Sequence, residues 1–254
     1  MDATNSVSWR DVYVDLKRQI DEGDFAPGAR LPAQATLARS FRVTRHAVRR
    51  ALQTMERDQL VVSWQGRGTF VADERFQYQI GQRTRFGENM RAEGRVSATK
   101  FLGSRLRPGP ARIAELLGVS RRERVHIAEI LRFVDARPAV LARHYFDPRR
   151  FPKIVGGIQR TGSVTDALID EDVEDFFRKT TIVETRNATS TEAVLLDIAP
   201  TQPVLVVTGH NVDRAGNPVE VAEAIARGDR ISLVLQSVPT PGRNPPNSLL
   251  GVKN

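Results

Sequence analysis

The sequence predicts an α+β protein with a small N-terminal domain of three helices and a β-ribbon, and a larger C-terminal α/β domain with an antiparallel sheet. Residues 31–71 predict the first domain, because helical apolar spacing there gives way to two short apolar strands around glycines. From about residue 83 to 236, β-like alternation mixes with short helical segments and predicts the second. A chain of 254 residues is long enough to form both hydrophobic cores.

Hydrophobic periodicity defines the three predicted helices of the N-terminal domain. The first begins after Ser8, a favourable N-cap, and ends at Gly23 before a Pro/Gly-rich turn. A short second helix covers residues 33–41, and the third runs from its N-cap candidate Thr44 to about Arg57. The apolar residues at helical spacing are Trp9, Val12, Tyr13, Leu16 and Ile20 in the first helix and Val48, Ala51, Leu52 and Met55 in the third. Each of these two helices therefore has one apolar face that can pack on a shared core.

The positive charge of this domain is concentrated on the third helix and its surroundings. Residues 30–67 contain eight arginines and two acids, for a net charge of +6, whereas residues 1–75 contain twelve Lys or Arg and ten Asp or Glu, for a net charge of +2. Arg45 and Arg49 are one helical turn apart, so both guanidinium groups project from one face, where they can bind guanine edges or phosphates. The alternative is a solvated basic helix face.

The ribbon after the third helix is predicted from the strands Leu60–Ser63 and Thr69–Val71. Gly66 and Gly68 allow a tight turn and a close approach to a backbone, so Arg67 between them is expected in a DNA minor groove; the alternative is an ordinary hairpin tip. Two helices, a basic helix and a ribbon, in this order, form a winged helix-turn-helix, which binds B-DNA. The predicted DNA-binding residues are Arg39, Thr44, Arg45, His46, Arg49, Gln65, Gly66 and Arg67.

The composition restricts the other functions open to the chain. A net charge of +8 favours a polyanionic partner or an anionic ligand. Cysteine is absent, which excludes disulfides, thiolate metal sites and cysteine nucleophiles, and the histidines lack metal-ligand spacing, so neither metal nor cofactor is expected. No apolar run approaches the ~18 residues of a membrane span, and the N-terminus has no signal-peptide pattern. A cytoplasmic, bacterial protein is therefore expected.

Five short motifs follow one another along the N-terminal domain. They are Pro27-Gly28-x-x-Leu31-Pro32, Leu37-Ala38, Val43-Thr44-Arg45, Val48-Arg49-x-Ala51-Leu52 and Gln65-Gly66-x-Gly68-Thr69-Phe70-Val71. Together they resemble the GntR family of bacterial transcription regulators, which implies DNA contacts by Thr44, Arg45, Arg49 and Gly66. The chain departs from the family pattern at Ala33-Gln34, Ala35 and His46, which affects the operator sequence rather than DNA binding. Because helix-turn-helix proteins read paired half-sites as dimers, a homodimer on a palindromic operator is expected.

The C-terminal domain contains a weak internal repeat. Residues 113–140 resemble residues 192–219, with Leu117, Asp135 and Pro138 corresponding to Leu196, Asp213 and Pro218. The offset of about 80 residues predicts a duplicated α–β–β unit that shares one antiparallel sheet. Two unrelated hairpins with similar turn chemistry are the alternative.

Further motifs extend from about residue 82 to 236. They are Thr84-Arg85-Phe86, Ala114-x-Leu116-Leu117-Gly118-Val119, Arg132 with Asp135-x-x-Pro138, Gly162-Ser163, Asn211 to Asp213 with Gly216-x-Pro218-Val219-Glu220, and Gly228-Asp229-Arg230. As a set they resemble the UTRA effector domain of the HutC branch of the GntR family, which is similar in fold to chorismate lyase. The resemblance implies a DNA-binding domain at 1–75 and an effector-binding and dimerisation domain at 83–236. The sequence itself predicts a linker at 72–82 and, from its Pro, Gly and Asn content, a disordered tail at 237–254.

Polar side chains on apolar strands are the candidate ligand-binding residues. Arg132 alternates with Ile130 and Ala128 and needs an anionic partner, either a ligand or a glutamate such as Glu129 or Glu184, because a buried unpaired charge is costly. Ser163 suits either an anion site or plain helix capping, and Glu220 suits either a ligand or an arginine. By resemblance, Thr84, Arg85, Arg132, Ser163 and Glu220 lie near effector contacts. The other candidates are His144, Tyr145, Glu184 and Arg186.

Three short segments narrow the resemblance further. Residues 84–86, 141–146 and 184–186 look most like the phosphonate-utilisation regulators of this branch. That resemblance implies a repressor whose operator binding is modulated by a small anion, a phosphonate or phosphate ester, which converging arginines would suit. The alternatives are a regulator that senses a phosphosugar or an amino-acid catabolite, a lyase-like enzyme and a non-specific DNA-packaging protein. No catalytic triad or paired-acid motif supports the enzyme.

Overall fold

The N-terminal domain consists of three helices followed by a two-stranded ribbon. The computed structural model describes residues 7–64, 66–72 and 75–235. The first elements are α1 (Trp9–Asp21), α2 (Gln34–Ser40), α3 (Arg45–Arg57), β1 (Val61–Trp64) and β2 (Gly68–Val71), with β1 and β2 antiparallel. Each predicted element of this domain is therefore present, with its ends within two residues of the expected ones. The predicted DNA-binding residue Gln65 and the expected tail 237–254 lie outside the described residues.

Side-chain caps and apolar stripes position the helices of this domain. Ser8 caps α1, with Asp11 accepting from the Ser8 backbone N–H at 2.6 Å, and Thr44 caps α3 by accepting from the Ala47 backbone N–H at 3.2 Å. The apolar faces of the helices then meet in one core, in which each fully buried side chain contributes about 1.5–3 kcal/mol. Its buried members include Val12, Leu16, Leu37, Val48, Ala51, Leu52 and Met55. Among the described residues, no helix is long and apolar enough to cross a bilayer.

The C-terminal domain is built around one large antiparallel sheet. Its elements are β3 (Phe76–Ile80), α4 (Phe86–Ala92), β4 (Ser97–Pro108), α5 (Ala111–Leu117), β5 (Arg124–Val134), β6 (Arg137–Phe146), α6 (Ile154–Thr161), α7 (Val164–Ile169), β7 (Phe177–Asn187), α8 (Ser190–Leu196), β8 (Pro203–Val212), β9 (Pro218–Arg227) and β10 (Ile231–Leu235). Six strands form the sheet, in the order β4-β5-β6-β9-β8-β7. The fold is therefore α+β, as predicted.

The strand order shows the duplication that the sequence repeat predicts. The hairpins β5–β6 and β8–β9 lie side by side with β6 paired to β9, and α5 and α8 precede them in the chain. The edge strands β4 and β7 complete the two halves. Each half of the sheet is thus one α–β–β unit with an added edge strand, which is the arrangement that the predicted duplication requires.

The two faces of the sheet carry different layers. Ala128 and Ile130 of β5 face α6 and α7 and belong to one core cluster with Phe146 and Phe151. Ile127 and Leu131, which flank this pair along β5, face the opposite side, where α5 and α8 pack. The period of two along β5 therefore separates an inner face, under α6 and α7, from an outer face, under α5 and α8.

A small second sheet covers part of the inner face. Strands β3 and β10 are paired in parallel, from Phe76 opposite Ile231 to Ile80 opposite Leu235, and with α4 they pack against Val134 and Val140. Strand β3 lies inside the segment 72–82 that was expected to be a linker. That expectation is corrected: the polar-looking segment alternates Phe, Tyr and Ile with Gln, and its apolar side is used to cover the large sheet.

Candidate DNA-binding surface and ligand pocket

The exposed face of α3 brings together three of the eight predicted DNA-binding residues. Arg45, His46 and Arg49 are all exposed, and a guanidinium nitrogen of Arg49 lies 3.4 Å from Nδ1 of His46. Arg39 of α2 is also exposed and lines a shallow depression with Arg45. These side chains make no salt bridge with a described carboxylate, so their donors face solvent. This face of α3 therefore has the charged N–H donors with which a helix can bind base edges in a DNA major groove.

The ribbon has the predicted turn, but its arginine has a protein partner. Gly66 and Gly68 have φ values of 77° and 107°, which explains glycine at both positions. Arg67 donates from Nη2 to Oδ1 of Asp197 at 2.5 Å, in the loop after α8 of the other domain. The expected projection of Arg67 into solvent toward a minor groove is therefore corrected for this conformation, because Asp197 binds the guanidinium.

A cavity of about 440 Å³ lies between the inner face of the large sheet and the covering elements β3, β10, α4 and the start of α7. Six of the predicted ligand-binding residues line it: Thr84, Arg85, Arg132, His144, Ser163 and Glu220. The small side chains of Ala222, Ala224 and Ala226 on β9 leave the space open above the sheet. Its size, and its mixture of apolar walls with converging charged groups, are those of a small-molecule site.

One hydrogen-bonded chain crosses the floor of this cavity from β5 to β7. Nη2 of Arg132 lies 3.5 Å from Nε2 of His144, and Nδ1 of His144 is bonded to Oε1 of Glu220. Asn211 donates to the other oxygen of Glu220 at 2.6 Å and accepts from Nε of Arg178 at 2.8 Å. Each of five adjacent strands supplies one residue. The chain therefore joins a cation at each end to a carboxylate in the middle.

The charges along this hydrogen-bonded series show how the Glu220 carboxylate is stabilised. Burial alone would raise the pKa of Glu220, but His144, Asn211 and Arg178 hold it below its ordinary value. Burial lowers the pKa of Arg132 and is opposed only by the nearby Tyr78 and Glu220. The guanidinium of Arg132 also stacks on the ring of Phe86, 4.8 Å from its centroid. Arg132 is thus fixed in orientation while most of its N–H donors are left for a ligand.

Neither glutamate that the sequence offered as a partner, Glu129 or Glu184, pairs with Arg132. Glu129 is paired with Arg143 at 3.0 Å and Arg105 at 2.8 Å, and Glu184 with Arg112 at 3.2 Å, all outside the cavity. No described carboxylate forms a salt bridge with Arg132. The ion pair considered as the alternative from sequence is therefore absent from the part of the chain that the structure describes.

The rim of the cavity contains the remaining candidates in structural roles. Ser163 caps α7 by accepting from the Asp166 backbone N–H at 3.2 Å, and Thr84 donates to the Gly81 carbonyl at 2.8 Å. Arg85 pairs with Asp175 at 3.4 Å and Glu88 at 3.2 Å. Its buried Nε finds no acceptor among the described residues, which leaves one donor at the cavity unsatisfied.

Three predicted ligand-binding residues do not line the cavity. Tyr145 packs on the outer face with α5, Glu184 pairs with Arg112, and Arg186 forms a two-pronged pair with Glu192 at 2.6 and 2.8 Å. The physical reason for Arg186 is a register shift between Arg178 and Thr180, which reverses the side-chain alternation of β7. Residues 184 and 186 therefore face α5 and α8 rather than the cavity.

The lining residues that were not predicted include Tyr78, Phe86, Arg178 and Asn211. Gly209 was an available signal, because a Cβ there would lie 1.9 Å from Nη1 of Arg178, so glycine makes room for this arginine to cross β8. Tyr78 lies in the segment taken as a linker, and burial raises the pKa of its phenol. Within the described residues, no group of three or more His, Asp or Glu could hold a metal ion.

Comparison with known proteins places both domains. Residues 9–71 match the family of bacterial regulatory proteins named gntR, and residues 92–232 match the UTRA domain. An uncharacterised HTH-type transcriptional regulator of Rhizobium meliloti is 31% identical over 90% of this chain and 94% of its own length. The protein named probable transcriptional regulator PhnF, of Escherichia coli, is 29% identical over 92% of this chain and 98% of its own length.

Two further comparisons complete this picture. The transcriptional repressor NagR of Bacillus subtilis is 26% identical over 88% of this chain and 91% of its own. The crystal structure of PhnF from Mycobacterium smegmatis has the same fold, with a TM-score of 0.62 at 23% identity over 90% of this chain and all of that one. The matched families and relatives are regulators of transcription and not enzymes. This chain therefore belongs to the GntR family of bacterial transcriptional regulators and carries a UTRA domain.

Proposed function

We propose that this protein is a dimeric, sequence-specific repressor whose affinity for a palindromic operator changes when a small anion occupies the cavity at Arg132. Its family supports the DNA-binding part, since GntR regulators bind DNA and typically act as dimers with small-molecule effectors. The single observation that carries the ligand part is Arg132, a partly buried cation in the cavity without a described carboxylate partner. Its place of action would be the bacterial cytoplasm, where the operator lies.

The chemistry of the cavity favours a phosphonate or phosphate ester as the ligand. Arg85, Arg132 and Arg178 all line it, and a tetrahedral oxyanion can accept several N–H donors from guanidinium groups at once. The similarity to PhnF agrees with the resemblance to phosphonate-utilisation regulators. A phosphosugar would use the same oxyanion with a larger body, and an amino-acid catabolite would offer only a carboxylate.

Two structural connections link the cavity to the DNA-binding domain. Tyr78 and Ile80 of β3 line the cavity, and only residues 72–75 separate β3 from the end of β2 in the ribbon. On the other side, Ala226 lines the cavity and the next residue, Arg227, donates to the carbonyl of Leu196, beside the Asp197 that binds the ribbon. A ligand that moves β3 or β9 would therefore shift the ribbon, provided that it binds the two arrangements with different affinity.

To test which ligand binds, the full chain is titrated with methylphosphonate, glucose 6-phosphate, inorganic phosphate and acetate. Binding is measured by the heat released or by the change in thermal stability. We expect methylphosphonate to bind and to change the affinity for an operator chosen from random DNA. Arg132→Met should weaken this binding by at least tenfold, because it removes a charge-assisted pair of about 1.5–3 kcal/mol. Arg107→Met, an exposed arginine on β4, is the matched control.

The results separate the candidates. Tight binding of glucose 6-phosphate with weak binding of methylphosphonate would replace the phosphonate with a phosphosugar, and binding of acetate alone would replace it with a carboxylate. Loss of operator binding by Arg132→Met in the absence of any ligand would make Arg132 structural. A regulator should prefer its operator over random DNA by roughly 10³-fold or more, and equal affinity for all DNA would favour the packaging protein instead.

A further inference from the structure

Trp9, the first residue of α1, lies outside the core of its own domain. The buried residues of α1 are Val12 and Leu16, whereas the indole of Trp9 is only partly buried. The guanidinium of Arg50 lies over its ring at 4.6 Å from the ring centroid, and that of Arg10 at 5.4 Å. This large aromatic side chain is therefore used to stack arginines rather than to fill the core.

The Trp9–Arg50 pair lies beside the face of α3 that contains the predicted DNA-reading residues. Together they line one open groove of about 690 Å³ between α1 and α3. The groove residues are Trp9, His46, Ala47, Arg49, Arg50, Gln53, Thr54 and Arg57. Four of the eight are arginine or histidine and none is acidic. A groove of this charge attracts a polyanion along its length.

Acids close in sequence do not neutralise Arg50. The nearest along α3, Glu56, accepts from the Ser63 backbone N–H at 2.8 Å, and Asp58 accepts from the Tyr13 hydroxyl at 2.6 Å. On α1, Asp11 is occupied by the Ser8 N–H. Arg50 is exposed and forms no salt bridge with a described carboxylate. Stacking on Trp9 uses the face of the planar guanidinium and leaves the N–H donors along its edge available.

We propose that Trp9 is a positioning residue that holds Arg50 for contact with a backbone phosphate of the bound DNA, beside the bases that α3 reads. The proposal rests on the proposed DNA-binding surface of α3. Arg50 follows Arg49 by about 100° around the helix and is turned toward α1, away from the face that Arg45 and Arg49 share. It therefore reaches the sugar-phosphate backbone beside the DNA major groove that α3 reads. Stacking on Trp9 orients the long side chain of Arg50 before DNA binds. This lowers the conformational entropy lost on binding and so raises the affinity for DNA.

The test measures the affinity for a selected operator and for random DNA of the same length over a range of salt concentrations. Arg50→Gln should weaken both to the same extent and reduce the slope of log K against log salt by about 0.9, because one phosphate contact is lost. Trp9→Leu should change the affinity and slope in the same direction, and Trp9→Phe should restore both, because any aromatic ring can stack. The double variant should be no weaker than Arg50→Gln alone.

The control is Arg18→Gln, an arginine of α1 that is bound by Asp15 and Glu22 and should leave the slope unchanged. A change in base preference with Arg50→Gln would make Arg50 a base reader and overturn the proposal. Trp9→Leu that lowers thermal stability but keeps the wild-type slope would overturn it too, by making Trp9 structural. If the wild type shows no operator preference, the proposed repressor fails, while the slope on random DNA still decides the role of Trp9.

Discussion

At the scale of single residues, the two hydrogen-bond partners of His144 select its tautomer. An arginine only donates hydrogen bonds, and Glu220, whose pKa is held low, only accepts them. His144 lies between them, so Nδ1 carries the hydrogen that binds Glu220, and the bare Nε2 accepts from Arg132. The orientation of the ligand-facing arginine therefore depends on a carboxylate two strands away.

A second residue-scale feature makes a prediction about pH. Glu192, a buried residue in the first turn of α8, accepts from Arg186 and from the Thr189 backbone N–H. Burial opposes ionisation, but these bonds lower its pKa from 4.5 to about 2. Its folded-state pKa is therefore below the unfolded one, so its contribution to stability is fully present above pH 4.5 and is lost as the pH falls toward 2.

We expect the free energy of unfolding, measured with urea at several pH values, to fall by up to about 3 kcal/mol from this group between those limits. Glu192→Gln should be less stable at neutral pH and should lose this part of the pH dependence. An unchanged pH dependence in Glu192→Gln would show that other carboxylates account for the acid sensitivity.

At the scale of elements, the sequence predicts correctly those features that depend only on contacts between residues close in the chain. Ser8 and Thr44 were predicted as N-caps and are N-caps, because a cap involves only its own next turn. Alternation on β5 and β9 placed Arg132 and Glu220 on the cavity side. It failed on β7, where a shift in register puts Arg178 on the inner face and Arg186 on the outer one. Such an irregularity depends on the partner strand, which the local sequence does not show.

The same dependence on a partner strand explains why the segment 72–82 was predicted to be a linker. Phe76, Tyr78 and Ile80 alternate with glutamines in the pattern of a half-buried strand, yet the partner of this strand is residues 231–235, at the far end of the domain. A parallel pair with so long a connection has no turn signal. Tyr78 was therefore not recognised as a lining residue.

The prediction at this scale concerns helix α3. Arg45→Ala should weaken operator binding by about 1–3 kcal/mol and relax the preference at one base pair, because a base-edge contact is lost. Binding to operator variants substituted at each position measures both effects. If Arg45 contacts only a phosphate, binding will weaken equally for every variant.

At the scale of the whole molecule, the pair between Arg67 and Asp197 joins the ribbon to the C-terminal domain. Arg137 adds a second contact by donating to the Pro27 carbonyl at 3.1 Å. The guanidinium of Arg67 cannot bind Asp197 and a DNA minor groove at the same time. If Arg67 contacts DNA as the sequence predicts, the effector domain and the operator compete for this one side chain.

Asp197→Asn should release Arg67 and raise operator affinity in the absence of ligand. Asparagine tolerates the left-handed backbone of this position, where φ is 52°. Because the Asp197 carboxylate is largely exposed, the pair is worth at most about 1 kcal/mol, so we expect an increase of up to about fivefold. Arg67→Gln combined with Asp197→Asn should show no such increase, and an increase that persists in the double variant would assign the effect elsewhere.

The pairing of β3 with β10 also sets an order of events during synthesis. The DNA-binding domain is complete once residue 71 has left the ribosome, whereas β3 receives its partner only after residue 235 has been made. The cavity therefore closes last, and a nascent or prematurely terminated chain has a folded DNA-binding domain before it has a sensor. Such a product would lack both the ligand cavity and the domain expected to form the dimer, so early translation stops in this gene should leave neither a ligand response nor tight binding to a palindromic operator.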